Sequence, residues 1–448
     1  MDILLIQPRG PMYRFGEGIF RKPIRYAPLT LTTLAALIPQ NLEAKVELID
    51  EGVEQFAPPS ENPDLVGISA ITGHAQRAYK IADYFRSKNV PVVLGGVHPT
   101  LMPQEAKQHA DSVVTGFAEE NWPRLLEDFQ NGKMQEFYHQ RRDITLENLP
   151  NPRRELLEKK GYVTIHSIQA TRGCYNRCDF CVAPVVCQGK MYFRPVPEVI
   201  KEIEGINGRD LLFVDVSPIE DRDYALELYG AMIPLNKRWM SPSTMRIAND
   251  SKLLEVAAKS GCKGLLLGLE SVSEKSLKNM KKNFNSLKDY REQIKRLHDK
   301  GIAINGCFVF GSDQDEKDVF ERTVDFVYEN NIDLPRFTVY TPFPGTPLYQ
   351  RINQEGRIIS NNWSLYDAQH VVFKPRNMSP DELQEGHHKA WKETYKLSHI
   401  AKRLANARIL PHVMIPANLA YNIYSKRLPE FGAEKMNTVD FMGIPDIC

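Results

Sequence analysis

Long apolar runs are missing from this sequence. Apolar runs such as Ile3 to Ile6, Leu265 to Leu267 and Phe308 to Phe310 fall far short of the ~20 residues a membrane-spanning helix requires. No transmembrane segment is expected. Asp2 stands beside the start and the apolar run after it is too short for a signal peptide's core, so a cytoplasmic protein is expected. A surplus of one charge is missing too: 57 basic against 56 acidic side chains leave a net +1, and no overall field for gripping nucleic acid. Cysteine is absent before Cys174, yet Cys174, Cys178 and Cys181 then fall close together among seven in all. An odd, clustered set is ill suited to paired disulfides in a reducing compartment and points to metal. What remains, 42% hydrophobic and 25% charged over 448 residues, suits a core-forming protein of two or three domains.

Strand-like runs alternate with helical periodicity at the start of the chain. Strands are expected at Asp2 to Gln7, Lys45 to Asp50, Leu65 to Ala70, Pro91 to Gly96 and Ser112 to Gly116, with helices such as Ala75 to Asn89 between them. This alternation predicts a doubly wound parallel α/β sheet, whose ligands bind beyond the carboxyl ends of the strands. The polar stretch Met134 to Pro152, with Arg141-Arg142-Asp143 and Pro150-Asn151-Pro152, reads as a linker. A second series follows at Thr164 to Ala170, Leu211 to Val216, Trp239 to Met245, Lys263 to Leu269, Ile302 to Phe310 and Phe337 to Tyr340, with helices such as Val196 to Glu204 and Asp289 to Asp299. Six strand and helix units are two short of a closed eight-fold barrel, so an open, partial (β/α)6 barrel is expected. Beyond about residue 370 the chain turns helical, then basic and apolar, with Arg403, Arg408, Lys426 and Arg427 among Leu, Ile, Tyr and Pro. That pattern fits a packed accessory region or a membrane-surface contact. The expected division is 1–135, a linker at 136–159, a core at 160–370 and a helical C-terminal region at 371–448.

Gly173-Cys174-Tyr175-Asn176-Arg177-Cys178-Asp179-Phe180-Cys181 follows the first strand of the second series. Three thiolates on one short loop can converge on an iron–sulfur cluster, and three for four irons leave one iron open to an outside ligand. Structural zinc is the rival reading; it wants four closed ligands, and Cys187 or His166 could supply the last. Buried unliganded thiols are the third.

This segment resembles the signature of the radical S-adenosylmethionine enzymes, three cysteines spaced C-x3-C-x2-C with an aromatic, here Phe180, before the last. The resemblance implies that Cys174, Cys178 and Cys181 hold a [4Fe-4S] cluster. It implies that S-adenosylmethionine chelates the open iron and is cleaved to a 5′-deoxyadenosyl radical. Gly268-Leu269-Glu270-Ser271 is similar to the family segment whose acid, here Glu270, meets the cofactor's ribose. Phe213 to Ser217 stands where the family places a motif near the methionine amino group, which would bring in Asp215 and Ser217. The common Gly-Gly-Glu is absent there. Arg246 suits the cofactor's carboxylate or, equally, a surface ion pair. Pro342 to Tyr349 resembles a turn near the end of this core in the cobalamin-binding branch.

Gly95-Gly96-Val97-His98-Pro99-Thr100 follows the fourth strand, where paired glycines let backbone approach a large flat ligand. Ser69 and Thr72 end the third strand; Thr115 and Gly116 end the fifth. No G-x-G-x-x-G follows the first strand, where Gln7-Pro8-Arg9-Gly10 stands instead. The arrangement resembles the cobalamin-binding domain that precedes the radical core in one branch of the family, and Pro28-Leu29-Thr30-Leu31 is similar to that branch's segment after the first strand. Cobalamin contacts are therefore expected at Ser69, Thr72, Gly95, Gly96, Val97, His98, Pro99, Thr115 and Gly116, with His98 either flanking the corrin ring or filling the loop. The D-x-H-x-x-G motif is absent, so no histidine is assigned as lower axial ligand; Gly116 to Glu120 also departs from the usual Gly-Glu-Gly-Glu. The methylthiotransferase branch carries three further cysteines upstream, and this chain has none there. The implied activity is methylation of an unactivated carbon. Alternatives are cyclisation, rearrangement or oxygen insertion with the same cofactors, and a non-enzymatic corrinoid carrier or zinc-stabilised binding protein. Expected partners are a small-molecule or lipid substrate and an electron donor such as flavodoxin or ferredoxin.

Overall fold

Four successive apolar residues, Ile3 to Ile6, cannot alternate between core and solvent, so the first strand has to be covered on both faces. In the computed structural model of the protein all four are buried, inside a six-stranded sheet. The structure describes residues 1–10, 26–141, 143–157, 161–405 and 409–431. Arg142, Arg408, Cys448 and the expected helical region beyond 431 lie outside the described residues. The chain divides into two compact units. One comprises Met1–Ser167 with Asn362–Asp367, the other Ile168–Asn361 with the described residues from Ala368 onward.

In the first unit the strands are β1 (Asp2–Gln7), β2 (Lys45–Asp50), β3 (Leu65–Ser69), β4 (Val92–Gly95), β5 (Ser112–Thr115) and β6 (Phe137–His139). They are ordered β2-β1-β3-β4-β5-β6, every pair parallel. The chain runs outward from β1 to β2, then crosses back to β3, which makes β1/β3 a switch point with its working edge at the strands' carboxyl ends. Trp122, Leu125 and Leu126 of helix Asn121–Gln130 pack with Leu5, Leu65 and Val114 in the core. The expected linker at 136–159 needs one correction: Phe137–His139 is the sixth strand, paired with β5. Three residues are too few to show a period of two, and what fixes them is the pairing of Tyr138 with Val114 of β5 together with its hydroxyl on Asp128 at 2.7 Å.

The second unit carries β7 (Ser167–Ile168), β8 (Thr171–Gly173), β9 (Met191–Phe193), β10 (Asp210–Phe213), β11 (Arg238–Ser243), β12 (Cys262–Glu270), β13 (Ala303–Phe310) and β14 (Arg336–Val339). Its main sheet is ordered β14-β13-β12-β11-β10-β7 with both ends free, which is the open, partial barrel expected. The strand expected at Thr164 to Ala170 is corrected: two of its residues join the sheet, while Thr171–Gly173 leaves it to pair antiparallel with β9. Burial alternates along the middle of the sheet and is continuous at the ends of β12 and β13. Leu211, Phe213, Trp239, Ser241, Leu265 and Leu267 are buried, whereas Leu212, Met240, Pro242, Leu266, Asn305, Cys307 and Thr338 stay partly open. Pro242, Leu266 and Asn305 stand in one row by strand register.

After the barrel come helices Pro380–Thr394, Leu397–Leu404 and Pro411–Arg427. The first opens with a capping box between Ser379 and Glu382, which satisfies two N-terminal amides reciprocally. Among the described residues no helix is long and apolar enough to cross a membrane.

Candidate functional site

The cysteine loop hangs from a two-stranded ribbon. Gly173, at φ +88°, ends β8, and a Cβ there would meet the Lys190 carbonyl, so only glycine lets the loop close on itself before β9 begins. Inside the loop, Asn176 donates to the Cys174 sulfur from its backbone at 3.4 Å and from its side-chain amide at 3.2 Å. Asp179 is fully buried and accepts from the Tyr340 hydroxyl at 2.5 Å and from Arg351 Nη1 at 2.9 Å, while its carbonyl takes the Leu348 amide at 2.9 Å. The Pro342 to Tyr349 turn and the end of β14 thereby clamp the loop. Phe180 lies edge-on to Tyr340, centroids 5.7 Å apart.

Burial raises the Cys174 and Cys181 thiols and pushes Cys178 up to about 12; neighbouring thiols add to the rise at Cys178 and Cys181. Thiols so placed ionise only against positive charge, which iron supplies. Among the described residues no three His, Cys, Asp or Glu side chains gather closely enough for one metal ion. Three thiols on one short loop are a donor set of the chemistry an iron–sulfur cluster takes. Cys187 is also buried and raised, to about 11.

Two ion pairs border the loop. Glu270 ends β12 at φ +66°, beside an irregularity in the β12/β13 register, and pairs with buried Lys282. A Cβ at Gly268 would lie 2.2 Å from Glu270 Oε1 and 2.4 Å from Lys282 Nζ, so the glycine of Gly-Leu-Glu makes room for that pair. Burial pulls Lys282 down, but Glu270 and the Cys178 thiol outweigh it and the net direction is upward. The second pair joins Arg246 Nη1 to buried Glu220 at 2.7 Å; Glu220 also accepts from Ser217 at 3.1 Å and Thr244 at 3.0 Å. Arg246 is half-exposed and lies 4.5 Å over the Phe284 ring, which Lys282 flanks at 5.4 Å. Asp215 is wholly buried, accepting from Thr171 Oγ1 at 2.7 Å and from the Ala170 and Thr171 amides. Its carboxylate thus holds the bend between β7 and β8.

In the first unit, Ser69, Gly95, Gly96, Val97, Thr115 and Gly116 form a partly open strip along the carboxyl ends of β3, β4 and β5. Gly96 sits at φ +94°, with a would-be Cβ 2.8 Å from Ser69 Oγ and 2.9 Å from the Ala70 carbonyl. Gly116, at φ +78°, is closed against Gln140 in the same way. The result is a backbone ledge that added side chains would disrupt, a fit for a large flat ring. Ile71 projects beside it, 45% exposed. Thr72, His98 and Pro99 are buried instead. The His98 ring nitrogens face Thr72 Oγ1 at 3.4 Å, the Tyr79 hydroxyl at 3.0 Å and Glu105 at 3.4 Å, and Trp363 lies edge-on at 5.4 Å. Trp363 Nε1 also donates to Glu105 at 2.8 Å. Burial works to raise Glu105, yet hydrogen bonds from His98, Tyr79 and Trp363 bring it below the usual range.

Sequence reasoning located the thiols, the glycines and Glu270. It missed Asn176, Glu220, Lys282 and Arg351, and gave Asp179 no role. Glu220, three residues after Ser217 on a short turn, carried a local signal; Lys282 and Arg351 carried none, since each acts through a fold contact.

Family models match this chain over residues 168–327 (Radical SAM superfamily), 26–126 (B12 binding domain) and 346–414 (a domain of unknown function). The chain is 32% identical, over 84% of its own length and 84% of the relative's, to the bacteriochlorophyllide d C-12(1)-methyltransferase of Chlorobaculum tepidum. It is 28% identical, over 95% and 98%, to the bacteriochlorophyllide d C-8(2)-methyltransferase of the same organism. In fold it is similar to the radical S-adenosylmethionine methyltransferase TsrM of Kitasatospora setae, solved with cobalamin and a [4Fe-4S] cluster, at TM-score 0.63, 16% identity and 88% of each chain.

Proposed function

Because this chain belongs to the cobalamin-dependent radical S-adenosylmethionine enzymes, whose cofactors are a [4Fe-4S] cluster, S-adenosylmethionine and cobalamin, we propose that it methylates an unactivated carbon on a large, mainly apolar small molecule. When bound, these groups supply a radical that removes hydrogen from carbon and the methyl group that replaces it. Cys174, Cys178 and Cys181 would hold the cluster. Phe180, Ser217, Arg246 and Glu270 would hold S-adenosylmethionine, Arg246 turning its guanidinium from Glu220 to the carboxylate. Asp215 enters as a positioning residue that fixes the bend carrying the loop. Ser69, Gly95, Gly96, Val97, Thr115 and Gly116 would hold cobalamin; Thr72, His98 and Pro99 support that ledge from below.

The observation that carries this reading is the open sheet face in the unit with the thiols: Leu212, Met240, Pro242 and Leu266 are apolar but partly uncovered, with Asn305, Cys307 and Thr338 as the polar minority. Apolar walls with few polar groups orient a large hydrophobic substrate and keep water from a reactive carbon. A tetrapyrrole is the first class to test, because both curated relatives above are named for bacteriochlorophyllide methylation. A flavodoxin or ferredoxin would deliver the electron, and a reducing cytoplasm would keep the thiols free.

The test is anaerobic reconstitution with iron, sulfide and cobalamin, followed by turnover on tetrapyrroles and on cell extract. Expected products are 5′-deoxyadenosine, S-adenosylhomocysteine and a substrate heavier by one methylene. Deoxyadenosine with a cyclised, rearranged or oxygenated product would replace methylation by the other radical outcomes. A colourless protein holding stoichiometric zinc would remove the radical reading altogether.

A further inference from the structure

A surface helix ordinarily turns its apolar residues inward and its polar ones to water. Helix Pro411–Arg427 departs from this in its first half, while Tyr421 and Tyr424 of its second half pack on Trp391. Its buried stripe is Met414, Asn418, Asn422 and Ser425. The polar members are held there by hydrogen bonds. The Asn418 amide donates to the carbonyls of Asp333 at 3.0 Å and Met414 at 2.9 Å, and its oxygen accepts from Arg403 at 2.8 Å. The Asn422 amide donates to the Tyr395 carbonyl at 2.6 Å, and Ser425 to the Asn422 carbonyl at 2.9 Å. With these bonds made the helix cannot roll over without stranding buried polar groups. Val413, Ile415 and Leu419 are therefore left outside, at 39%, 47% and 43% exposure.

Charge says what fits this face. From Thr394 to Pro429 there is no Asp or Glu, while Lys396, Lys402, Lys426 and Arg427 reach the surface; Arg403 is turned inward onto Asn418 and the Thr394 carbonyl. A chain balanced overall at +1 thus gathers surface cations in the segment that leaves these apolar side chains exposed. A second copy would bring like charges together, and a neutral partner would leave them unanswered.

We propose that Pro411–Arg427 lies in the headgroup layer of an anionic membrane, with Val413, Ile415 and Leu419 reaching toward the acyl chains and Lys426 and Arg427 against lipid phosphates. The helix rests on the surface rather than crossing it: it has 17 residues, Pro416 interrupts it, and it does not meet the requirements of a span. The docking is independent of the reaction proposed above, so either can fail alone.

The test is flotation of the full-length holoenzyme with phosphatidylcholine vesicles, with and without roughly 30% phosphatidylglycerol. Binding should depend on the anionic lipid and fall as salt rises. The double substitution Ile415→Asp with Leu419→Asp should lower the bound fraction about tenfold, and Lys426→Ala with Arg427→Ala a few-fold. Unchanged cluster resonance and thermal midpoint would certify the fold of each variant. Vesicle binding that ignores lipid charge, or that survives both double substitutions, overturns the proposal. So does an absence of binding with a dimer dissolved by Leu419→Asp, which would make the face an interface between copies. Binding that appears only after residues 432–448 are removed also overturns it, by making the chain's own end the cover.

Discussion

The cysteine loop and the glycine ledge sit at corresponding places, each at the carboxyl edge of a parallel sheet, yet they are held by opposite means. The loop is fixed by side chains: Asn176 on the Cys174 sulfur, Asp179 on Tyr340 and Arg351, Glu270 on Lys282. The ledge is fixed by what is missing, since Gly96 and Gly116 adopt positive φ where a Cβ would collide. A small inorganic cluster needs donor atoms of one chemistry at set places. A wide ring needs a smooth surface, which backbone gives and side chains interrupt.

Four substitutions probe that contrast, in descending size of effect. Cys178→Ala should abolish deoxyadenosine formation while cobalamin retention, read by absorbance after desalting, stays at wild type; parallel loss of cobalamin would show that the two regions are not separately built. Asp179→Asn leaves Arg351 and Tyr340 without their buried charge and should cost about 4 kcal/mol, read by denaturant unfolding, with iron per chain falling as the clamp loosens.

Asp215 gives the loop side a pH dependence opposite in sign to that of Glu105 beneath the ledge, whose carboxyl is lowered. Burial raises its carboxyl from 3.8 to about 6, against hydrogen bonds from Thr171 and Ala170 that pull the other way. The folded protein therefore keeps a proton that the unfolded chain releases at lower pH. The resulting stabilisation, about 3 kcal/mol, is complete below pH 4 and lost as pH rises through 6. Thermal midpoints of the Asp215→Asn variant should lack this slope; an unchanged slope would assign it elsewhere. Gly96→Ala should cost about 2 kcal/mol and release cobalamin with iron content intact. The control is Gly132→Ala, at φ +67° with nothing within 4 Å, which should cost about 1 kcal/mol and keep the cobalamin. Equal effects at both glycines would reduce the ledge to ordinary backbone strain.

The loop was the more legible region because cysteine spacing names its chemistry directly. The ledge could be read only as paired glycines after a strand, and His98 beside them looked as much a contact as a support until its ring was found among Thr72, Tyr79 and Glu105. Strand periodicity placed nine of the eleven expected strands to within a residue or two, as at β1, β2 and β13. It failed at β6 and at the β7/β8 bend, where three residues, or one buried carboxylate 44 positions away, decide the path.

By itself the sequence determined the donor chemistry, the alternating elements and the glycines where no side chain fits, because these depend on residue type and on neighbours along the chain. Tertiary structure alone decided that Asp179 meets Tyr340 across 161 positions, that Trp363 folds with the first unit, and that a helix near the C-terminus buries Asn418 and Asn422 while Ile415 and Leu419 stay exposed. Such pairings are settled by which buried polar groups find partners when the elements pack, and no local pattern encodes them.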